Sequence, residues 1–174
     1  VDEDHSIFWA TNQAWESAFL DLVLYKLDAD GNEIWAQPFV YQEFPTDQIY
    51  VAALKEDVLY MAGRACDCVS VTLECCDLLY MAVDKNTGDL LWSNTYDQGF
   101  GYEEGDGLVI EEDGIFLSGW TFGGDSFMDI FILKTNLQGD TLWSNTWDGG
   151  ENLYEHQDGQ MVVDDSLIYC AGLY

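Results

Sequence analysis

The sequence predicts an all-β fold made of tandem four-stranded antiparallel sheets, and three observations carry that prediction. The first is a repeat. Segments 21–35 (DLVLYKLDADGNEIW), 77–92 (DLLYMAVDKNTGDLLW) and 129–143 (DIFILKTNLQGDTLW) align, each with a Gly four residues before the Trp: Gly31, Gly88 and Gly139. The second is the spacing. Trp35 to Trp92 is 57 residues and Trp92 to Trp143 is 51; a period of about 50 made only of strand signals fits the blades of a β-propeller, since solenoid repeats are shorter or helical. The third is local pattern. Each Trp leads to an aromatic-x-small-Gly strand, Tyr60 to Gly63, Phe116 to Gly119 and Tyr169 to Gly172. Runs such as Ile130-Phe131-Ile132-Leu133 are apolar on both faces, as a strand is when its sheet lies between two others.

The elements follow in order. In the third copy the strands are expected at Gly107–Glu112, Gly114–Thr121, Asp129–Asn136 and Asp140–Trp147, joined by hairpins with Asp-Gly or Gln-Gly turn chemistry. Ser6 to Thr11 matches Gly114 to Gly119, so the chain is expected to open on the second strand of a unit and to close on another, Ile168 to Gly172. The count is three, four, four and two strands. The expected architecture is therefore a partial β-propeller of about three and a quarter four-stranded antiparallel blades, an arc of a larger propeller. Its parts are 1–39 (three strands), 40–96 (a blade with a Cys-rich loop, 64–76), 97–147 (a blade) and 148–174 (two strands). Such an arc leaves apolar blade faces and strand edges bare. The remaining blades of the same chain, or neighbouring subunits, are the expected partners.

Charge narrows the function. The chain of 174 residues carries 33 Asp and Glu against 5 Lys and Arg, a formal net charge of −28, with 48% hydrophobic and 15% aromatic residues. It has enough apolar residue for a core, and no basic surface to displace counterions from a nucleic acid. No apolar run approaches the ~20 residues that span a bilayer as a helix, so membrane insertion is not expected. On a compact surface the net charges lie ~17 Å apart, about twice the Debye length at physiological salt. A solvated acidic surface suits a secreted or salt-adapted protein; a calcium-decorated one is the sharper alternative.

The second copy sets Ala82, Asp84, Thr87, Gly88 and Trp92 in the order A-x-D-x-x-T-G-x-x-x-W. That order resembles the tryptophan-docking motif of quinoprotein-type β-propellers, in which each blade's Trp docks on the neighbouring blade. Copies one and three keep Asp28, Gly31 and Trp35, and Asn136, Gly139 and Trp143, and resemble the divergent repeats of secreted and surface propellers. The resemblance implies structural docking by Trp35, Trp92 and Trp143. The residues themselves make sense of it: Asp28, Asp84 and Asn136 suit a tight turn, the glycines supply positive φ, and each indole offers a flat apolar face. Trp9, Trp15, Trp120 and Trp147 break the repeat register and are expected in core or rim packing, or facing a ligand.

Five cysteines are present, and Cys66, Cys68, Cys75 and Cys76 all fall in the extra loop between Gly63 and Asp77. They are expected to staple it with disulfides of unspecified pairing, which implies an oxidising compartment. A zinc site is a rival despite its poor C-x-C-x6-C-C spacing. So is a vicinal Cys75–Cys76 disulfide, which resembles the one in quinoprotein alcohol dehydrogenases. Cys170 occupies the position of Met61 and Leu117 and is expected to be a buried, inert thiol.

Asp28, Asp30 and Asn32 place oxygen ligands on alternating positions like the start of a calcium loop, with a plain hairpin turn as the alternative. The clusters Glu103-Glu104-Gly105-Asp106 and Glu111-Glu112-Asp113 are expected in wet loops. No nucleophile motif accompanies His5 or His156, and no G-x-S-x-G, H-E-x-x-H or P-loop occurs. The expected function is a non-catalytic extracellular propeller scaffold or interaction module, needing no cofactor, with calcium possible and a protein or glycan as ligand. The alternatives are a subunit of an extracellular filament or appendage, and a fragment of a quinoprotein-type dehydrogenase.

Overall fold

The computed structural model describes residues 5–14, 20–39, 47–66, 76–99, 101–122, 128–148, 156–164 and 167–173. Among these residues the chain is all strand and turn, without helix. The strands are β1 (Ile7–Ala14), β2 (Leu20–Leu27), β3 (Glu33–Phe39), β4 (Gln48–Lys55), β5 (Val58–Cys66), β6 (Cys76–Asp84) and β7 (Leu90–Tyr96). Then come β8 (Glu103–Ile110), β9 (Ile115–Phe122), β10 (Met128–Thr135), β11 (Thr141–Trp147), β12 (His156–Asp164) and β13 (Leu167–Leu173). They form four antiparallel sheets in chain order, β1-β2-β3, β4-β5-β6-β7, β8-β9-β10-β11 and β12-β13.

Each pairing repeats from sheet to sheet. The register slips at Lys26/Leu27, Ala82/Val83 and Lys134/Thr135, always just before the Gly turn. It slips again where the first strand of a sheet meets the second, at Ile49/Val51, Gly105/Gly107 and Gln157/Gln160. This second bulge explains the Gly that closes the aromatic-x-small-Gly strand. A Cβ on Gly119 would stand 1.8 Å from the Glu104 carbonyl oxygen, and one on Gly63 would stand 1.9 Å from that of Gln48. Only a residue without a side chain fits opposite such a bulge.

The two middle strands of the second sheet, β5 and β6, bury both faces. Leu59, Met61, Met81 and Val83 pack with Leu22, Leu24 and Phe39 of the first sheet. Their alternates Tyr60, Ala62, Leu78, Tyr80 and Ala82 pack with Ile115, Leu117, Phe131 and Leu133 of the third. Period-two alternation with a neighbour on either side is why these runs read as continuously apolar. Burying a Leu or Met in this way contributes ~1.5–3 kcal/mol per side chain. The first strands of successive sheets, β4, β8 and β12, lie side by side.

One expectation fails in the third sheet. Its first strand begins at Glu103 rather than Gly107, so 103–106 is strand and not loop. Glu103 is fully buried opposite Thr121. The four residues look solvated because three are acidic, but antiparallel pairing with β9 satisfies their backbone and carries them inside. The Glu111–Asp113 segment does form the following turn, closed by the Glu111 N–H donating to the Gly114 carbonyl at 2.8 Å.

Candidate functional site

The three predicted Gly turns share one hydrogen-bond scheme. Asp28 Oδ1 accepts from the N–H groups of Asp30 and Asn32 at 2.9 and 2.8 Å. Asp84 Oδ1 accepts from Asn86 and Thr87 at 2.7 and 3.1 Å, and Asn136 Oδ1 from Gln138 and Asp140 at 2.9 Å each. Gly31, Gly88 and Gly139 then turn the chain at φ of 84°, 78° and 85°. A left-handed conformation costs other residues about 1–2 kcal/mol. In the first turn the Asn32 amide also donates to Asp28 Oδ2 at 2.9 Å. Both Asp28 oxygens are therefore engaged in closing the hairpin. The structure places Asp28, Asp30 and Asn32 in the hairpin turn between β2 and β3.

Each turn lies beside a tryptophan row. Phe8, Lys26 and Trp35 stand opposite one another across the first sheet, as do Tyr60, Ala82 and Trp92 across the second, and Phe116, Lys134 and Trp143 across the third. Within its own sheet each indole meets the first-named aromatic, with ring centroids 6.2, 6.1 and 6.0 Å apart. Beyond its own sheet the rows differ. Trp35 lies on the turn of the second sheet, where a Cβ on Gly88 would stand 3.1 Å from its six-membered ring. Trp92 lies on the turn of the third, where a Cβ on Gly139 would stand 2.8 Å from the ring. The Gly139 carbonyl also accepts from Asn94 Nδ2 at 3.1 Å and from the Tyr80 hydroxyl at 3.2 Å. The strands beside this seam add two more bonds, Tyr96 to Ser144 at 2.6 Å and Thr146 to Gln98 at 2.7 Å. Gly31 has open space where a Cβ would point, and Trp143 is 39% exposed.

A second cluster joins the second and third sheets around the chain's single arginine. Arg64 on β5 donates through Nη1 to Glu104 Oε2 at 3.0 Å and to the Tyr102 hydroxyl, and through Nη2 to Gln48 Oε1 at 2.5 Å. The Tyr102 hydroxyl donates to Glu104 Oε2 at 2.6 Å, and the Tyr50 hydroxyl donates to Gln48 Oε1 at 2.5 Å. The guanidinium carbon lies 5.8 Å from the Tyr50 ring centre and 5.6 Å from that of Tyr102. Burial, reinforced by the charge of Glu104, raises the pKa of Tyr50; burial and the hydrogen bond to Glu104 raise that of Tyr102. Both phenols stay protonated and act as donors. The cluster is a clamp between β4, β5 and β8, with Tyr50 at its solvent face. Sequence reading missed it because the partners lie 14 to 40 residues from Arg64 and only the bulged register aligns them.

The other cations are engaged too. Lys26 and Lys134 lie over the rings of Phe8 and Phe116, Lys55 donates to the Glu111 carbonyl at 2.5 Å, and Lys85 pairs with Asp57 at 3.3 Å. Lys134 also pairs with Asp113 at 2.8 Å.

The cysteine reading is sharpened by the Cys66–Cys76 disulfide, which joins directly opposed residues at the ends of β5 and β6. It closes the mouth of the extra loop and excludes the vicinal Cys75–Cys76 pairing, since Cys76 is already bonded. It likewise removes two of the four thiolates a zinc site requires. Cys68 and Cys75 lie outside the described residues. Cys170 is corrected: it lies outside any disulfide and is exposed, because the third sheet, which it meets at Ser118 of β9, covers it only in part. Of the off-register tryptophans, Trp120 is buried and stacked on Tyr102 at 4.6 Å, whereas Trp9 and Trp147 are more than half exposed. Trp15 lies outside the described residues.

A cleft of about 370 Å³ opens between the first and second sheets, with Leu22, Phe39 and Met81 among its apolar walls and Gln37, Asp47 and Ser93 among its polar ones. No helix among the described residues is long and apolar enough to cross a membrane. No protein-family model and no curated protein matches the chain.

Proposed function

We propose that the four sheets are successive blades of a β-propeller, and that the protein is a non-catalytic extracellular scaffold or interaction module. One observation carries the reading: the indole of one sheet is seated on the glycine turn of the next at two consecutive seams, Trp35 on Gly88 and Trp92 on Gly139. That is the relation implied by the resemblance to tryptophan-docking propellers. A secreted or surface location is supported by the Cys66–Cys76 disulfide, which persists in oxidising compartments. The acidic surface supports it as well: at −28, with its five cations all committed to neighbours, the protein stays soluble and rejects nucleic acid.

The partner surface follows from the same geometry. Trp143, Leu142 and Trp147 expose apolar area along β11, and a further blade, from the same chain or a neighbouring subunit, covers it. Sedimentation velocity of the 174-residue chain at physiological salt tests this. The expected result is association that Trp143→Ser removes. A monodisperse 19.7 kDa monomer would overturn the reading.

A further inference from the structure

Where the second sheet meets the third, three carboxylates converge. Asp77 comes from β6, Asp97 follows β7, and Glu103 opens β8; one oxygen from each lies within 4.8 Å of the others. Two of these groups are partly or fully open to solvent, and clustered surface acids alone mean little in so acidic a chain. Glu103 is different. It is fully buried, with Oε1 accepting from Thr121 Oγ1 at 3.0 Å and from the Gln98 N–H at 3.3 Å. Its Oε2 is buried with no hydrogen-bond partner among the described residues. A carboxylate oxygen taken out of water must be protonated, paired or bound to a metal.

We propose that Asp77, Asp97 and Glu103 form a calcium site that fastens β8 of the third sheet to the β6 and β7 ends of the second. The chemistry fits a hard cation. All three donors are carboxylate oxygens, and calcium accepts oxygens at about 2.3–2.6 Å, so ligands on opposite sides of one ion stand roughly 4.6–5.2 Å apart. The neighbouring sulfurs of Cys66 and Cys76 are bonded to each other and offer no thiolate. Without a cation the three charges repel. Burial first, with the charges of Asp97 and Asp77 adding to it, pushes Glu103 up to about 7, against the hydrogen bonds from Thr121 and Gln98.

The arrangement belongs to the repeat rather than to chance among many acids. Asp77 and Glu103 are 26 residues apart, and the same separation recurs between Asp21 and Asp47 and between Asp129 and Glu155. Asp47, at the start of β4, is also buried. Among the described residues, Asp21 lies on β2 of the first sheet and Asp47 stands just before β4 of the second. Asp97, five residues after Trp92, completes the trio, and Asp148 stands at the same separation from Trp143.

The test uses the chelator-treated chain, with terbium as a luminescent stand-in for calcium and Tyr102 and Trp120, stacked beside Glu103, as sensitisers. Calcium is expected to displace terbium from one saturable site, and to raise the melting temperature by several degrees more than magnesium at equal ionic strength. Asp97→Asn is expected to weaken calcium by about tenfold or more while leaving the chelated protein folded. Glu103→Gln is expected to abolish the calcium-dependent rise and to melt higher than the unsubstituted chain in chelator. Glu112→Gln, an exposed acid on a distant turn, is the control and leaves the calcium response intact. Equal responses to calcium and magnesium, or an unchanged response in Asp97→Asn, overturn the proposal and leave only a diffuse ion atmosphere.

Discussion

Trp92 and Trp143 begin the same four residues, W-S-N-T, at the same point of the same repeat. Each packs on an aromatic of its own sheet at nearly the same distance, Tyr60 at 6.1 Å and Phe116 at 6.0 Å. There the likeness ends. Trp92 reaches the Gly139 turn, and Asn94 and Tyr80 beside it hold that turn's carbonyl. Trp143 keeps 39% of its surface in water, and every residue of β11 is exposed. The row inside a sheet is built by the sheet alone. A seam needs two sheets, so the same sequence produces a core in one place and an exposed face in the other.

Truncating the two indoles sharpens the contrast most. Trp92→Ala is expected to cost about 3–5 kcal/mol, the usual penalty for emptying an aromatic site in a packed interior. Trp143→Ala should cost about 1 kcal/mol or less, because most of its loss is contact with a single ring. Urea unfolding of both variants measures the difference, and equal costs would break the comparison.

Glycine substitutions come next. Gly139→Ala adds a methyl 2.8 Å from the Trp92 ring at a positive φ, for an expected ~2–4 kcal/mol from backbone strain and overpacking together. Gly31→Ala shares the φ but meets nothing within 4 Å, so only the ~1–2 kcal/mol of strain remains. The excess at Gly139 isolates the seam. A smaller effect is expected from the double variant Cys66→Ala, Cys76→Ala. Releasing a link that spans 10 residues costs about 2–3 kcal/mol by loop entropy, read as a lower urea midpoint. The smallest is Tyr96→Phe, which removes an exposed bond to Ser144 and should cost about 0.5–1 kcal/mol. Its counterpart Trp147 is more than half exposed, so Trp147→Phe should be near neutral by the same measurement.

Particular residues mark how far sequence reading reaches. The Asp28, Asp84 and Asn136 turns were legible because a side-chain oxygen, a glycine and their spacing act within five or six residues. The apolar runs of β5, β6 and β9 were legible because a strand with two buried faces must be apolar throughout. Glu103 was not, since an acid in an acidic segment carries no local mark of burial; a buried Thr121 across the ladder decides it. Nor was Arg64, whose partners come from β4 and from the start of β8. Cys170 was misread because its alignment with Met61 and Leu117 predicts a core position only where a neighbouring sheet covers that face.

By itself, the sequence determined the strands, their turns and the antiparallel order within each sheet. These rest on interactions between residues close in the chain, and the chain's period states them directly. Tertiary structure alone decided which indoles find a glycine beneath them, which cysteines bond, and which three carboxylates converge. Those outcomes depend on how one sheet lies against the next, where side chains dozens of residues apart come within a few ångströms.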